Sequence, residues 1–224
     1  MSAFFVTATG TDIGKTFVTA GLIRHLRKEG RAASALKPLV TGFDIATSAL
    51  SDPGLLLDAM DEKLTPEAFD RISPWRFAAP LSPDMAAARE GRAVEYDALI
   101  AFCREAMQTK DTLFIEGVGG AMVPLDTRHT VLDWMEALAL PVIVVAGSYL
   151  GTISHTLTAL DTLARAKLTI AALVINDTPS DIPIADTIAS ISRFTPDVPI
   201  AAIPRVKHWL DAREQFAALW RILA

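Results

Sequence analysis

The sequence contains a single cysteine, Cys103, and its four histidines are scattered along the chain. One cysteine cannot form a disulfide within the chain, and no spacing of Cys and His typical of a zinc site is present. The longest apolar run, residues 138–147, contains Pro141 and is too short to cross a bilayer. These absences exclude a disulfide framework, a cysteine zinc site and a membrane-spanning helix. Since no basic leader precedes the first apolar run either, we expect a cytoplasmic protein.

Clusters of charge of one sign are also missing. The chain has 21 Lys and Arg against 26 Asp and Glu, a formal net charge of −5, and no block of like charges. Nucleic acids and anionic membranes attract concentrated positive charge, so we expect neither as a partner. An anionic ligand therefore needs a local source of positive charge.

Apolar runs of strand length alternate with amphipathic helical segments along the 224 residues. The runs are continuous and rich in Val, Ile and Leu, which is typical of strands covered on both faces. Their alternation with helices predicts a parallel sheet with right-handed crossovers. Strands are predicted at residues 4–7, 33–36, 112–115, 142–146, 171–175 and 200–203. Helices are predicted at residues 15–29, 52–61, 96–107, 131–139, 153–166, 183–193 and near 213–222.

No linker, repeat or low-complexity tract divides the chain. We therefore expect a single α/β domain over residues 1–224, with three layers in which helices flank a mostly parallel sheet. Residues 65–91 contain four of the prolines and show no clear period. We expect this segment to be irregular and to lie over the edge of the sheet.

Residues 6–16, VTATGTDIGKT, lie between the first predicted strand and the first predicted helix. Strand, small-residue loop and helix occur in the order of a P-loop, in which backbone N–H groups surround a phosphate at a helix N-terminus. Lys15 adds a cation for the β- and γ-phosphates, and the Thr16 hydroxyl is placed to ligate Mg²⁺. The strict pattern has Gly where this chain has Thr9, but the flanking strand and helix support the assignment. The sequence predicts a P-loop NTPase fold that binds a nucleoside triphosphate.

Polar residues recur directly after the predicted strands. Residues 8–15, Lys37, Glu116, Gly147 and Asn176 each follow the carboxyl end of a strand. Open α/β sheets bind their ligands at that edge. We therefore predict that these loops converge on one crevice.

Several of these side chains have a functional interpretation and an ordinary structural one. Glu116 stands where P-loop proteins place an acid linked to Mg²⁺, or it is a solvated loop residue. Lys37 can offset charge in phosphoryl transfer, or it is a surface lysine. Asp52 resembles a helix N-cap, with metal ligation as the alternative. The Asn176 amide can meet the N6 and N7 edge of adenine, or Asn176 and Asp177 form a turn.

The motifs follow one another in an order that resembles dethiobiotin synthetase, from the first strand to about residue 205. They are TGTDIGKT at 9–16, Lys37-Pro38, Thr41-Gly42, Ser51-Asp52, Pro80-Leu81-Ser82-Pro83, Glu116-Gly117-Val118-Gly119-Gly120, Leu150-Gly151-Thr152 and Asn176-Asp177. The resemblance implies an ATP-dependent cyclo-ligase of biotin synthesis, which joins CO₂ to 7,8-diaminononanoate and yields dethiobiotin, ADP and phosphate. It also implies a homodimer with each active site near the subunit interface.

The same resemblance implies a role for each matching position. The catalytic residues would be Lys37, Lys15 and Thr11. The nucleotide would bind to Asp12, Ile13, Gly14, Lys15, Thr16, Phe17, Asn176, Asp177 and Pro204. The substrate would bind to Thr41, Gly119, Gly151, Thr152 and Ser154, of which Gly151 and Thr152 would come from the partner subunit. Mg²⁺ would be held by Thr16, Asp52 and Glu116.

The chain departs from the family pattern at three positions. Ala8 stands where Gly is usual, Asp84 where His is common, and Ser154 where Asn is usual. Because Ser is shorter than Asn, we expect a weaker side-chain contact to the tail of the substrate at Ser154.

Two other classes of protein share the phosphate loop. Partitioning and metal-cluster-carrier ATPases use a second lysine five residues before the Gly-Lys lysine, and this chain has Gly10 there. A module that binds nucleotide without turnover would not need the complete set of Lys15, Thr16, Asp52 and Glu116. The sequence therefore favours the ligase.

Overall fold

The computed structural model describes residues 2–108 and 110–224. Its strands are β1 (Ala3–Ala8), β2 (Ala33–Leu36), β3 (Leu39–Thr41), β4 (Trp75–Phe77), β5 (Thr112–Glu116), β6 (Val142–Gly147), β7 (Ile170–Asn176) and β8 (Ile200–Ile203). Its α-helices are α1 (Lys15–Lys28), α2 (Asp52–Ala59), α3 (Pro66–Ile72), α4 (Pro83–Arg89), α5 (Tyr96–Ala106), α6 (Val131–Leu138), α7 (Thr152–Arg165), α8 (Ile184–Ser192) and α9 (Arg213–Leu223). Two short 3-10 helices lie at Ile45–Leu50 and Trp209–Ala212.

Six of the strands form one sheet in the order β2-β5-β1-β6-β7-β8, and every neighbouring pair is parallel. In the centre, Val6 of β1 lies opposite Glu116 of β5 and Ile143 of β6. All the carboxyl ends therefore meet at one edge, next to the loop that follows β1. The predicted mostly parallel sheet flanked by helices is confirmed, and each predicted strand and helix occurs with ends shifted by no more than two residues.

Neighbouring side chains of β1 pack on opposite faces of the sheet. The Phe5 ring lies edge-on to Trp134 of α6, with centroids 5.0 Å apart. On the other face the Phe4 ring stacks on Phe114 at 5.8 Å and meets Trp220 of α9 at 6.3 Å. Burial of one such side chain contributes roughly 1.5–3 kcal/mol. Helices on both faces explain why the strands are apolar along their whole length.

The prediction that residues 65–91 are irregular is wrong. They form α3, β4 and α4, and β4 pairs with β3 in a small second parallel sheet. Pro66 and Pro83 occupy the first turn of their helices, where a missing N–H leaves no intrahelical bond unmade. The three elements have only 7, 3 and 7 residues, too few for a hydrophobic period to appear.

Both sheets contribute to one hydrophobic cluster of buried residues. That residues 1–224 form a single domain stays a prediction. Over residues 2–108 and 110–224, none of the helices combines the length and the apolar character needed to cross a membrane.

Helix α1 packs closely against α9 at Gly21. A Cβ atom at this position would lie 2.0 Å from Cζ of Phe216, so the contact depends on the missing side chain. In an open helix Gly→Ala stabilises by about 1 kcal/mol. Here we expect Gly21→Ala to lower the free energy of unfolding by about 1–3 kcal/mol, because the added atom overpacks the contact. Urea unfolding followed by circular dichroism measures the change. The double variant Gly21→Ala/Phe216→Leu should recover part of the loss, and a Gly21→Ala protein as stable as the parent contradicts this packing.

Candidate active site

The loop between β1 and α1 has the backbone of a phosphate-binding turn. Asp12 and Gly14 adopt left-handed conformations, with φ of 58° and 102°. Such turns direct successive N–H groups toward an anion, and the N-terminus of α1 adds a favourable dipole. Glycine is required at position 14 for two reasons. Its φ is left-handed, and a Cβ atom there would lie 2.3 Å from Nδ2 of Asn176. That Nδ2 donates to the carbonyl oxygen of Ile13 at 2.9 Å and so fastens the end of β7 to the loop.

Lys15 is buried against the same loop. Its Nζ donates to the carbonyl oxygens of Gly10 at 3.2 Å and Gly119 at 3.0 Å. Burial, followed by the nearby charge of Lys37, lowers the pKa of Lys15 to about 8. Because both hydrogen bonds are to backbone carbonyl groups, its charge remains directed to an incoming anion.

Four side chains from separate elements meet beside Lys15. Nζ of Lys37, directly after β2, lies 2.8 Å from Oε1 of Glu116 at the end of β5 and 2.9 Å from Oδ2 of Asp52 in α2. It also donates to the carbonyl oxygen of Gly117 at 2.8 Å. The Thr16 hydroxyl in α1 lies 2.7 Å from Oε1 of Glu116 and 2.8 Å from Oδ1 of Asp52. We call Lys37, Asp52, Glu116 and Thr16 the carboxylate cluster.

The structure excludes the ordinary structural interpretations of Lys37, Glu116 and Asp52. Lys37 and Glu116 are buried, so they are neither a surface lysine nor a solvated loop acid. Ser51 caps α2 by accepting from the N–H of Gly54, so Asp52 is not the N-cap. Its carboxylate instead points at Thr16 and Lys37.

The carboxylate cluster is held together by charge. Burial alone would lower the pKa of Lys37, but the charges of Glu116 and Asp52 outweigh it and raise that pKa. Burial would raise the pKa of Asp52, and the charge of Lys37 with the hydrogen bond from Thr16 lowers it instead. Lys37 and Asp52 are therefore ionised at neutral pH. Removing one partner from a buried pair of this kind costs roughly 3–5 kcal/mol.

The donor set of the cluster fits Mg²⁺. Oε2 of Glu116 is buried without a hydrogen-bond partner. The Thr16 hydroxyl has one proton, which can serve only one of the two carboxylate oxygens beside it. Mg²⁺ binds oxygen ligands and commonly uses one or two carboxylates together with phosphate groups. No group of three or more His, Cys, Asp or Glu suited to a metal occurs in the described ranges.

A cavity of about 790 Å³ opens over the loop and the cluster. The predicted site residues that line it are Thr11, Asp12, Gly14, Lys15, Thr16, Lys37, Thr41, Asp52 and Gly119. Residues 80–83 form part of the opposite wall. The loops after β1, β2 and β5 converge on the cavity as predicted, whereas Gly147 after β6 and Asn176 after β7 are not among its lining residues. Apolar lining from Leu50 and Val123 was missed, since no motif marks these positions.

The remaining nucleotide residues lie around the loop rather than on the cavity wall. The Phe17 ring packs on Phe216, with centroids 5.7 Å apart. The Asp177 carboxylate accepts from the Ser148 hydroxyl at 2.9 Å, and Pro204 directly follows β8. Sequence reasoning also missed Ser148, although it adjoins Gly147 at the end of β6.

Gly151, Thr152 and Ser154 are not brought to the cavity within one chain. Thr152 is buried, and its hydroxyl and N–H donate to the carbonyl oxygens of Gly147 and Tyr149. Ser154 is exposed at the start of α7. Contact of this segment with the substrate of a partner subunit stays a prediction.

The chain matches a family model described as an AAA domain over residues 2–212. It is 50% identical over 218 residues to the ATP-dependent dethiobiotin synthetase BioD of Acidiphilium cryptum, covering 94% of this chain and 98% of that relative. It is 44% identical to the protein of the same name from Phenylobacterium zucineum, covering 100% of this chain and 98% of that relative.

Solved structures that resemble this fold include the MinC:MinD cell division protein complex of Aquifex aeolicus, with a TM-score of 0.60, 10% identity and coverage of 100% of this chain and 95% of that one. The cell division ATPase MinD of Pyrococcus furiosus has a TM-score of 0.57, 15% identity and full coverage of both chains. At these identities the likeness concerns the fold alone.

The lowered pKa of Lys15 predicts how ADP binding changes with pH. Below pH 8 the ammonium is already protonated, whereas above it the protein must take up a proton to meet the phosphates. The affinity for ADP should therefore fall by up to about tenfold per pH unit above pH 8. Lys15→Arg keeps its charge through this range and should lose the dependence. Calorimetric titration of ADP into both proteins from pH 6.5 to 9.5, without metal, measures it. Parallel profiles for the two proteins would exclude Lys15 as the titrating group.

Proposed function

The chain belongs to the dethiobiotin synthetase family, and on that premise we propose how its own residues carry out the reaction. It is an ATP-dependent ligase of biotin biosynthesis. The observation that carries the assignment of roles is the carboxylate cluster beside Lys15, of which Thr16, Lys37 and Asp52 line one cavity together with the phosphate loop.

The reaction brings anions together. One amine of 7,8-diaminononanoate captures CO₂ as a carbamate, and a carbamate oxygen then attacks the γ-phosphoryl group. The second amine attacks the activated carbonyl carbon, closes the ring and releases phosphate. Attack of one anion on another needs alignment and offset charge more than it needs an acid or base.

The cationic side chains supply that offset. Lys15, held by the carbonyl groups of Gly10 and Gly119, stabilises the negative charge on the transferring phosphoryl group. Lys37 supplies a second ammonium from the carboxylate cluster. Thr11, Thr41 and Gly119 orient the reacting groups from the cavity wall.

We assign two further binding roles. Mg²⁺, held by Thr16, Asp52 and Glu116, would offset the charge of the β- and γ-phosphates when bound. Asn176 commits one amide N–H to Ile13. Its amide oxygen and second N–H are the groups we assign to adenine, with Asp177 and Pro204 beside it.

We also propose a homodimer that places the start of α7 against the cavity of the partner. Leu150 is 90% exposed and Ile153 is 37% exposed, next to Ser154. Leu50, which lines the cavity, is 79% exposed, and Met122, next to the cavity-lining Val123, is 59% exposed. A two-fold axis would bring each of these patches against the other twice.

The chain has one cysteine, which is consistent with the reducing cytoplasm we propose as its compartment.

The function is tested by the substrates that ADP release requires. We expect ADP to appear only when 7,8-diaminononanoate and bicarbonate are both present with Mg²⁺, in equal amounts with dethiobiotin. The reason is that the γ-phosphoryl acceptor is the carbamate, which needs both substrates. A coupled ADP assay with mass spectrometry of the product measures this, and the same assay without diamine serves as the control. ADP release at the full rate without diamine would indicate a nucleotide-driven switch such as the partitioning ATPases.

The dimer is tested by a charge at the exposed apolar patch. We expect Leu150→Glu to shift the protein to monomers and to raise the KM for the diamine, because the partner's contact is lost. ADP affinity should not change, since the phosphate loop lies within one chain. Sedimentation equilibrium and steady-state kinetics measure the two effects. Leu64→Glu, at an exposed leucine that does not line the cavity, is the matched control. A monomeric parent protein, or a dimeric Leu150→Glu protein with unchanged KM, contradicts the proposal.

A further inference from the structure

All three N–H groups of the Lys37 ammonium are already engaged. Its Nζ has three oxygen atoms within 2.9 Å, which belong to Glu116, Asp52 and the carbonyl group of Gly117. An ammonium has three donors and no acceptor. In this arrangement Lys37 cannot donate to a phosphate or carbamate without giving up one of these partners.

A metal ion would need the same carboxylate oxygens. Oε1 of Glu116 contacts both Lys37 and Thr16, while Asp52 gives Oδ2 to Lys37 and Oδ1 to Thr16. Both carboxylates are thus engaged by Lys37, whereas Lys15 donates only to carbonyl groups. A divalent cation added to this set would be repelled by a lysine that occupies its place. Lys37 and a metal therefore compete for one pair of ligands.

We propose that Lys37 is the internal counter-ion of the metal site: it holds Asp52 and Glu116 in place until a metal–nucleotide complex arrives, and its displacement turns the ammonium toward the cavity. This inference rests on the metal assignment of the proposed function. Before nucleotide binds, Lys37 is a positioning residue, and after displacement it is a catalytic one. Lys37 lines the cavity, and its hydrogen bond to the carbonyl oxygen of Gly117 does not involve a carboxylate. The ammonium can therefore leave the two carboxylates while it stays bound to Gly117.

The exchange has two consequences. The nucleotide-free protein should bind a free divalent cation weakly, because the cation must expel Lys37 without help from phosphate ligands. The second ammonium of the active site becomes available only when the metal is in place. Metal binding thus makes the Lys37 ammonium available for phosphoryl transfer.

Binding of Mn²⁺ without nucleotide tests the proposal. Free Mn²⁺ is counted by electron paramagnetic resonance during titration of the parent, Lys37→Met and Lys15→Met proteins. We expect Lys37→Met to bind one Mn²⁺ roughly tenfold or more tightly than the parent, since cation affinity rises with the uncompensated charge of the ligands. Lys15→Met should bind like the parent, because Lys15 contacts only carbonyl groups. Addition of Asp52→Asn to Lys37→Met should abolish the gain.

Unpaired carboxylates can prevent Lys37→Met from folding without metal. Thermal unfolding with and without MnCl₂ then carries the test, and a midpoint that rises with Mn²⁺ in Lys37→Met but not in Lys15→Met supports the proposal. Equal Mn²⁺ affinity in the parent and Lys37→Met overturns it, while the proposed function stands if Mn²⁺ still binds with ADP. Absence of Mn²⁺ binding in every protein even with ADP overturns both this proposal and the metal assignment.

Discussion

The structure of the site depends on one buried ion pair, that between Lys37 and Glu116. Two charges removed from water are tolerated only when they face each other with their remaining polar groups satisfied. This requirement ties the end of β2 to the end of β5. Asp52 and Thr16 extend the constraint to α2 and α1. All four elements therefore converge on these charges, which join the phosphate loop to the wall of the cavity.

Lys15 and Lys37 belong to the same site but are held by different kinds of partner. Lys15 is held by carbonyl groups, so its charge is directed outward, while burial, followed by the nearby charge of Lys37, lowers its pKa to about 8. Lys37 is held by carboxylates, so its charge is compensated and its pKa is raised. The site therefore contains one ammonium that is directed to phosphate, that of Lys15, and one whose charge is compensated by carboxylates, that of Lys37. The proposed reaction needs charge offset at two stages, phosphate binding and carbamate attack.

Sequence reasoning correctly placed the side chains that stand at the carboxyl end of a long apolar strand. Lys37 and Glu116 were located in this way, because parallel strands place such positions at one edge. It could not decide between cap and ligand for Asp52, since a helix beginning at Ser51-Asp52 offers either residue as the cap. The two helices and the strand within residues 65–91 were missed because, at 7, 7 and 3 residues, they are too short to show a hydrophobic period. The role proposed for Gly151, Thr152 and Ser154 requires a second subunit, which neither one sequence nor one chain contains.

The central claim is that Lys37 leaves the carboxylates when the site is loaded. The most direct measurement is the separation of Nζ of Lys37 and Oε1 of Glu116 in crystals of the nucleotide-free protein and of its complex with Mg²⁺ and a non-hydrolysable ATP analogue. The separation is 2.8 Å in the present structure. In the complex our account predicts a separation beyond hydrogen-bond distance, more than about 3.5 Å, with Nζ turned into the cavity. A separation unchanged in the complex, with Lys37 still bound to both carboxylates, would contradict it.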